Sequence, residues 1–261
     1  MAIVRLRPAD LQRAIGENAL SLQFQPQVFI ANGNLVGAEA LVRWPHPSYG
    51  MIGPGEIIPL VEQAGFHLEF DRWVITAVCE QLRVWNAEGF TVPIVAANIW
   101  TQTLRSPGLL DMVGKIILKS GVAPRVIEIE VPKGTVADPA LAEAARRLRV
   151  LGVRVASEEL GDPSLIGAAV DFDTLKIAFP IARDLFVSGS TSTAAASAIV
   201  EAARSAGARV VADSVETREQ EHALHALGCE IVQGYLYGPE VSAAELKLLA
   251  AVGAKAAPRD D

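Results

Sequence analysis

Eight short apolar runs, each bounded by glycine, proline or asparagine, alternate along most of the chain with helical stretches. The runs cover residues 22–29, 35–43, 93–99, 126–131, 153–158, 174–177, 208–213 and 230–233. Strand-like runs separated by helical crossovers are typical of a parallel sheet in an α/β protein. Because eight such units fit within 261 residues, we predict a modified (β/α)8 barrel of the TIM type.

The first two runs differ from the others because only residues 30–34 join them. A glycine-containing loop of this length favours an antiparallel hairpin, so the barrel should contain one antiparallel strand. Later crossovers, such as 139–151 and 217–227, space their apolar residues three and four positions apart, as amphipathic helices do. An open doubly wound sheet is the alternative, but no GxGxxG turn follows the first strand.

Composition limits the classes of protein that this chain can represent. With 51% hydrophobic and 20% charged residues, it can bury a sizeable core, and we expect one barrel domain over 1–250 and a polar tail over 251–261. A net charge of -7 disfavours duplex nucleic acid, whose binding relies on neutralising phosphates. Two cysteines are too few for a disulfide framework, and neither a signal peptide nor a membrane-length apolar stretch occurs. We therefore expect a cytoplasmic protein without membrane contact.

Acidic and amide residues, with one lysine, stand near the ends of the predicted strands, where the chemistry of such barrels collects. They are Glu39, Asn98, Glu128, Glu130, Glu158, Glu159, Lys176, Asp213 and Gln233. Converging carboxylates repel one another, and a hard divalent cation with oxygen ligands resolves that repulsion. A pair of such cations can cleave a phosphodiester, with Lys176 holding a water or a phosphate oxygen. The alternative is a set of salt bridges at the barrel mouth, the more common arrangement for any single residue.

Five ordered motifs resemble those of one protein family. They are FQPQV at 24–28, GAEALVRW at 37–44, GPGEIIPLVEQAG at 53–65, VVADSVET at 210–217 and LGCEIVQGYLYGP at 227–239. Together they are similar to the EAL family of bacterial cyclic-di-GMP phosphodiesterases, and the similarity runs from about residue 11 to residue 248. The resemblance implies a modified eight-stranded barrel in which two Mg²⁺ or Mn²⁺ ions and a water hydrolyse cyclic-di-GMP to its linear dinucleotide.

The resemblance also implies a role for each matched residue. The implied metal ligands are Glu39, Asn98, Glu128, Glu158 and Glu159. The implied catalytic residues are Lys176, near the attacking water, and Asp213, where the family has a glutamate. The implied ligand-binding residues are Gln25, Leu41, Arg43, Pro59 and Gln233. Among them Arg43 grips a ligand phosphate, a role that suits a planar and always charged guanidinium.

The chain departs from the family where the chemistry is most demanding. Glu158 and Glu159 replace two adjacent aspartates, and the loop after them is two residues shorter than the family's FGTGYSSL. Val131 stands where the motif EITE has its second glutamate, Ala178 replaces an aspartate, and Trp100 replaces a serine. One extra methylene moves a carboxylate by about 1 Å, an error that can cost about 100-fold in rate. We therefore expect a degenerate member of the family with weak or absent activity.

Three functions remain open from the sequence. The first is a cyclic-di-GMP receptor with little or no hydrolysis, which signals to a protein partner that the sequence does not identify. The second is a Mg²⁺- or Mn²⁺-dependent phosphodiesterase that releases linear pGpG. The third is a protein-interaction scaffold that binds no nucleotide. The resemblance also implies a homodimer, although the altered loop weakens that inference.

Overall fold

The computed structural model describes residues 6–157, 172–186 and 191–253. Its strands β1 to β9 span Ser21–Phe29, Leu35–His46, Gly50–Ile52, Val95–Asn98, Ile127–Val131, Arg154–Ser157, Thr174–Ile177, Arg209–Ala212 and Ile231–Val232. They pair in the order β1-β9-β8-β7-β6-β5-β4-β2-β3, and a further pairing of β1 with β2 closes eight of them into a barrel. The predicted α/β barrel is confirmed.

Helices cover the outside of the barrel. Within the described ranges, α1 to α10 span Pro8–Gly16, Pro54–Ala64, His67–Ala87, Thr101–Leu104, Leu109–Ser120, Pro139–Val150, Phe179–Arg183, Ser192–Ala206, Arg218–Ala226 and Ala243–Val252. None of these helices is both long and apolar enough to cross a membrane. The last helix continues two residues past the predicted domain end, and residues 254–261 of the predicted tail lie outside the described residues.

Strand β1 runs antiparallel to both of its barrel neighbours, β2 and β9. The other barrel strands pair in parallel, so the predicted single antiparallel strand is confirmed. The short strand β3 was not predicted. It pairs with the end of β2 at His46 opposite Gly50, and this hairpin extends β2 three residues beyond its predicted end. Pro45 obscured the extension in the sequence, because proline is tolerated only where a strand donates no ladder hydrogen bond.

Helix α3 supplies one fixed wall beside the barrel mouth. Its residues Phe70, Val74 and Val78 recur at intervals of four and are buried, as expected for the apolar stripe of an amphipathic helix. Near its end, the Trp85 ring packs 4.8 Å from the Phe24 ring of β1. Burying side chains of this size contributes about 1.5–3 kcal/mol each, which holds the helix against the barrel.

Strand alternation gives the barrel interior two polar layers. Side chains two residues apart point to the same face and lie about 6.6 Å apart along a strand. On β5 the inward pair is Glu128 and Glu130, and on β7 it is Thr174 and Lys176. We call the set at the strand starts the lower layer, and it consists of Glu128, Arg154, Thr174 and Arg209. We call the set at the strand ends the upper layer, and it consists of Glu39, Glu130, Lys176 and Asp213.

Candidate active site

The ammonium of Lys176 is the centre of the upper layer. Its Nζ lies 2.8 Å from Oε2 of Glu130, 3.1 Å from Oε2 of Glu39 and 3.6 Å from Oδ2 of Asp213. These side chains come from β7, β5, β2 and the residue that follows β8. Four separate stretches of the chain therefore converge on one buried cation, and the structure brings Glu39, Lys176 and Asp213 together as predicted.

Amide side chains complete the hydrogen bonds of Glu39. Asn98 Nδ2 donates to Oε1 over 2.7 Å, and Gln233 Nε2 donates to Oε2 over 2.7 Å. The Gln233 amide also donates to Oε1 of Gln25 over 2.9 Å and accepts from Nε2 of Gln27 over 3.0 Å. The sequence predicted Asn98, Gln233 and Gln25 here but missed Gln27, which follows Gln25 at the two-residue spacing of one strand face.

The chemistry of the upper layer follows from burial and from mutual charge. Burial opposes the ionisation of Glu39, but the Lys176 charge and the amide hydrogen bonds outweigh it and lower the pKa of that carboxyl. Burial, together with the charge of Glu39, raises the pKa of Glu130 to about 8. Burial also raises the pKa of Asp213. Burial disfavours the Lys176 ammonium, yet Glu130 and Glu39 raise its pKa well above the usual range. The Lys176 ammonium therefore stays charged, whereas Glu130 and Asp213 keep their protons to a higher pH than isolated carboxyls do.

A cavity of about 370 Å³ opens above this cluster. Its polar lining includes Glu39, Asn98, Glu130, Lys176 and Asp213 at one end, and its apolar lining includes Leu41, Pro54, Ile58, Val74 and Trp100. The volume lies in the usual range for a small-molecule site. A charged floor beneath apolar walls can hold a ligand with both flat apolar and anionic parts. Leu41 was predicted to line the ligand site and does line this cavity.

Asp71 of α3 is a lining residue that sequence reasoning missed. Its carboxyl is buried and accepts the backbone N–H of Trp100 over 2.9 Å. Burial raises the pKa of Asp71 to about 7, against the lowering effect of the nearby Thr103 hydroxyl and of the Trp100 backbone N–H. One signal was available, because Asp71 stands next to Phe70 on the apolar stripe of the helix, where an acid is unexpected.

The structure corrects the prediction for Glu128. Its Oε2 accepts the hydroxyl of Thr174 and lies 3.5 Å from Nε of Arg154 and 3.9 Å from Nη1 of Arg209. These partners belong to the lower layer, so Glu128 does not join Glu39 and Asn98. Glu130 occupies that position instead. A shift of two residues keeps a side chain on the same strand face, which is why the motif could be matched two positions too early.

The corrected register also changes one of the departures from the family motif. When Glu130 is taken as the first glutamate of EITE, the second glutamate corresponds to Lys133 rather than Val131. The replacement then reverses a charge instead of removing one. The prediction that the family's second glutamate is absent is unchanged by this shift.

Four of the five predicted ligand residues lie outside the lining of the cavity, namely Gln25, Arg43, Pro59 and Gln233. Arg43 donates from Nε to Oε1 of Gln23 over 2.7 Å and from Nη1 to the carbonyl of Val42 over 2.9 Å. Its Nη2 lies 3.4 Å from Oε2 of Glu240. It follows Glu39 by four residues on the same strand, which puts it farther out than the acids. Pro59 is exposed on α2, where its neighbour Ile58 lines the cavity instead.

The kinds of donor in the upper layer suit a hard divalent cation. Glu39, Glu130 and Asp213 offer carboxylate oxygens and Asn98 an amide oxygen, the ligands that Mg²⁺ and Mn²⁺ prefer. Oε1 of Glu130 is buried and has no hydrogen-bond partner among the described residues. Within the same ranges, no three His, Cys, Asp or Glu side chains are close enough to share a metal ion. The predicted ligands Glu158 and Glu159 lie outside the described residues.

Comparison with known proteins places the chain in a family. The model of the EAL domain matches residues 9–240. The bifunctional diguanylate cyclase/cyclic di-GMP phosphodiesterase MucR of Pseudomonas aeruginosa is 32% identical over 242 residues, which are 91% of this chain and 35% of MucR. The cyclic di-GMP phosphodiesterase NbdA of the same organism is 32% identical over 244 residues, 91% of this chain and 31% of NbdA. The chain thus spans about a third of the length of these relatives.

Solved structures agree with the sequence comparison. The PaMucR phosphodiesterase in complex with c-di-GMP superposes with a TM-score of 0.81 at 30% identity, over 91% of this chain and 98% of that one. The FimX EAL domain of Xanthomonas citri, in complex with c-diGMP, has a TM-score of 0.78 at 19% identity, over 88% and 91%. The second likeness concerns the fold alone. From the match over most of its length, this chain belongs to the EAL domain family.

Proposed function

We propose that this domain binds cyclic-di-GMP in the cavity above the upper layer and acts mainly as a receptor, with slow or absent hydrolysis. The observation that carries the proposal is a cavity of about 370 Å³ with a buried ammonium at its floor. The related PaMucR phosphodiesterase was solved in complex with c-di-GMP, which supports the same ligand for this chain.

The chemistry of the cavity suits a cyclic dinucleotide. Its apolar lining, which includes Leu41, Ile58 and Trp100, suits the flat face of a base. Asp71 lines the same cavity and offers a carboxyl to the N–H edge of a guanine. Arg43 stands farther out on β2, where its guanidinium can pair with a phosphate in two parallel hydrogen bonds.

The balance of charge supports a receptor over an efficient enzyme. Lys176 lies within 3.6 Å of Glu39, Glu130 and Asp213, so a cation of the chain itself already offsets their repulsion. No divalent ion is required to hold these acids together. The replacement of two aspartates by Glu158 and Glu159 points the same way, because each longer side chain changes the reach of a carboxylate.

Metal-dependent hydrolysis is the second candidate, and the convergence of Glu39, Asn98, Glu130, Lys176 and Asp213 favours it. In that case Glu39, Asn98 and Glu130 would hold Mg²⁺ or Mn²⁺. The ion would supply a polarised phosphoryl oxygen and a water of lowered pKa. The chain's own groups would orient the ligand through Arg43 and hold the phosphate or the water at Nζ of Lys176.

The test is a calorimetric titration of cyclic-di-GMP into the protein with and without Mn²⁺, followed by chromatography of the cell contents. A receptor gives saturable heats and intact nucleotide under both conditions. Sustained heat and linear pGpG that require Mn²⁺ would instead establish the phosphodiesterase. A titration without heat or product would contradict both candidates and leave the scaffold.

Matched variants of Arg43 locate the ligand. Arg43→Ala should weaken cyclic-di-GMP binding at least tenfold, because a charge-assisted contact is lost. Arg43→Lys keeps the charge but not the two-pronged geometry and should recover only part of the affinity. Arg13→Ala removes an exposed arginine of α1 and serves as the control. If Arg43→Ala bound as tightly as the parent, the phosphate contact would be assigned to the wrong residue.

A further inference from the structure

The ion pair between Arg43 and Glu240 joins two distant parts of the chain at one end of the barrel. Arg43 lies near the end of β2, and Glu240 follows the short helical turn Tyr235–Tyr237 that comes after β9. Nη2 of Arg43 lies 3.4 Å from Oε2 of Glu240. Both residues are therefore at the strand ends, the side of the barrel on which the cavity opens.

The three groups around the Arg43 guanidinium make different kinds of contact. Nε donates to Oε1 of Gln23 over 2.7 Å, and Nη1 donates to the carbonyl of Val42 over 2.9 Å. These two contacts are hydrogen bonds, whereas the 3.4 Å approach of Glu240 is an ion pair to which the structure assigns no hydrogen bond. Gln23 and Val42 therefore position the guanidinium, and Glu240 contributes mainly its charge.

The side chain of Glu240 can leave Arg43 without breaking another contact. Among the residues that the structure describes, its carboxylate has no further ion pair and no hydrogen bond, and 24% of the side chain is exposed. The backbone beside it is fixed, because Val241 exchanges hydrogen bonds of 2.8 and 3.0 Å with Phe24 of β1. The carboxylate can thus turn towards water while the chain that carries it stays in place.

Arg43 shares a strand face with two residues that line the cavity. Glu39 and Leu41 precede it at the two-residue spacing of one face of β2 and belong to the lining, but Arg43 is only 8% exposed and does not. A buried guanidinium requires an anion beside it, and Glu240 supplies that anion in the free protein. A phosphate that reaches Arg43 would meet the like charge of this carboxylate, which disfavours the presence of both anions.

From these contacts, we propose that Glu240 competes with the ligand phosphate for Arg43 and thereby lowers the affinity of the domain for cyclic-di-GMP. The inference rests on the proposed function and adds a residue that opposes binding to those that support it. Binding exchanges the Glu240 carboxylate for a phosphate oxygen, and Glu240 turns towards water. Gln23 and Val42 keep their hydrogen bonds during this exchange, so the guanidinium retains its orientation.

The test is a calorimetric titration of cyclic-di-GMP into the metal-free parent and into Glu240→Gln, which removes the charge and keeps the shape of the side chain. The variant should bind about fivefold tighter, the size expected when one partly exposed ion pair no longer competes. Glu56→Gln is the matched control. Glu56 is exposed on α2 between Pro54 and Ile58, which line the cavity, so its loss removes the same charge close by and should change the affinity less than about twofold.

A double variant separates competition at Arg43 from a general effect of charge. In the Arg43→Ala background, Glu240→Gln should leave the weakened affinity unchanged, because no guanidinium remains to be released. Without ligand, Glu240→Gln alone should lower the midpoint of thermal unfolding, because Arg43 then lacks its anion. Cyclic-di-GMP should raise this midpoint more in the variant than in the parent, because the phosphate replaces the missing charge.

The possible results distinguish this inference from the proposed function. If the parent binds and Glu240→Gln binds equally or more weakly, competition by Glu240 is wrong and the proposed function stands. An equal gain in Glu56→Gln, or in the Arg43→Ala background, would also overturn the inference, because the gain would then come from net charge. An absence of binding in both the parent and Glu240→Gln would contradict the proposed function and this inference with it.

Discussion

The two polar layers of the barrel interior have the same construction and opposite electrostatics. Each uses an acid on β5 and a partner on β7, and the two acids, Glu128 and Glu130, are only two residues apart. In the upper layer three carboxylates surround one ammonium, whereas in the lower layer two guanidiniums share one carboxylate. Depth in the barrel, which strand alternation does not encode, therefore decides whether an inward acid belongs to a chemical site or to a structural ion pair.

The largest effect should come from removing the one cation of the upper layer. Lys176→Met leaves the buried carboxyls of Glu39 and Glu130 and the partly buried one of Asp213 without their common partner, and it should cost about 3–5 kcal/mol of unfolding free energy. Urea denaturation at neutral pH measures this loss. Lys176→Met combined with Glu130→Gln should recover part of it. A cost below about 1 kcal/mol in the single variant would show that the ammonium does not balance the acids.

Asp71 provides a buried acid that belongs to neither layer and has no cation beside it in the described structure. Because burial raises its folded-state pKa from 3.8 to about 7, the folded protein holds a proton that the unfolded chain releases, and stability falls as pH rises between these values. This group should contribute a loss of about 2 kcal/mol between pH 5 and pH 7. Asp71→Asn should remove this part of the dependence of the unfolding free energy on pH, which denaturation curves at several pH values measure. The same pH dependence in parent and variant would contradict the raised pKa of Asp71.

In the lower layer, Glu128→Gln should destabilise the fold without affecting the cavity. Arg154 and Arg209 then lack their carboxylate, but their side chains are 29% and 19% exposed, so water limits the cost to about 1–2 kcal/mol. Cyclic-di-GMP binding should remain within twofold of the parent. Glu130→Gln should show the opposite pattern, because it changes the acid that lines the cavity. It should alter any Mn²⁺-dependent binding or hydrolysis of cyclic-di-GMP. Equivalent phenotypes for the two variants would invalidate the division into layers.

The smallest effect concerns the hydroxyl of Thr174, which donates to Glu128. Thr174→Val keeps the shape of the side chain but leaves the carboxylate one donor short, at a cost of about 1 kcal/mol. Thr174→Ser keeps the donor and should stay closer to the parent. Thermal unfolding compares the pair, and a larger loss in the serine variant would mean that packing rather than the hydrogen bond matters at this position.

The sequence allowed the barrel to be predicted because each strand is a separate apolar run bounded by turn residues. The antiparallel β1 followed from a loop too short for a crossover. Residue roles were harder, since Glu128 and Glu130 have the same periodicity and differ only in depth. Asp71 was missed because an acid on an amphipathic helix usually faces water. The position of Arg43 also could not be predicted, because its contact with Glu240 joins segments far apart in sequence.

The amide side chains between the two layers determine whether a proton can pass from one layer to the other. Arg209 donates to Oε1 of Gln27 over 3.4 Å, Gln27 donates to Gln233, and Gln233 donates to Glu39. Every donor in this relay points from the basic end of the barrel towards the acidic end, so the dipoles add. Carboxamides do not titrate in the physiological range, so the relay transmits polarisation but no proton. The amide side chains therefore separate the two layers, so that a proton gained or lost in one layer is not passed through them to the other.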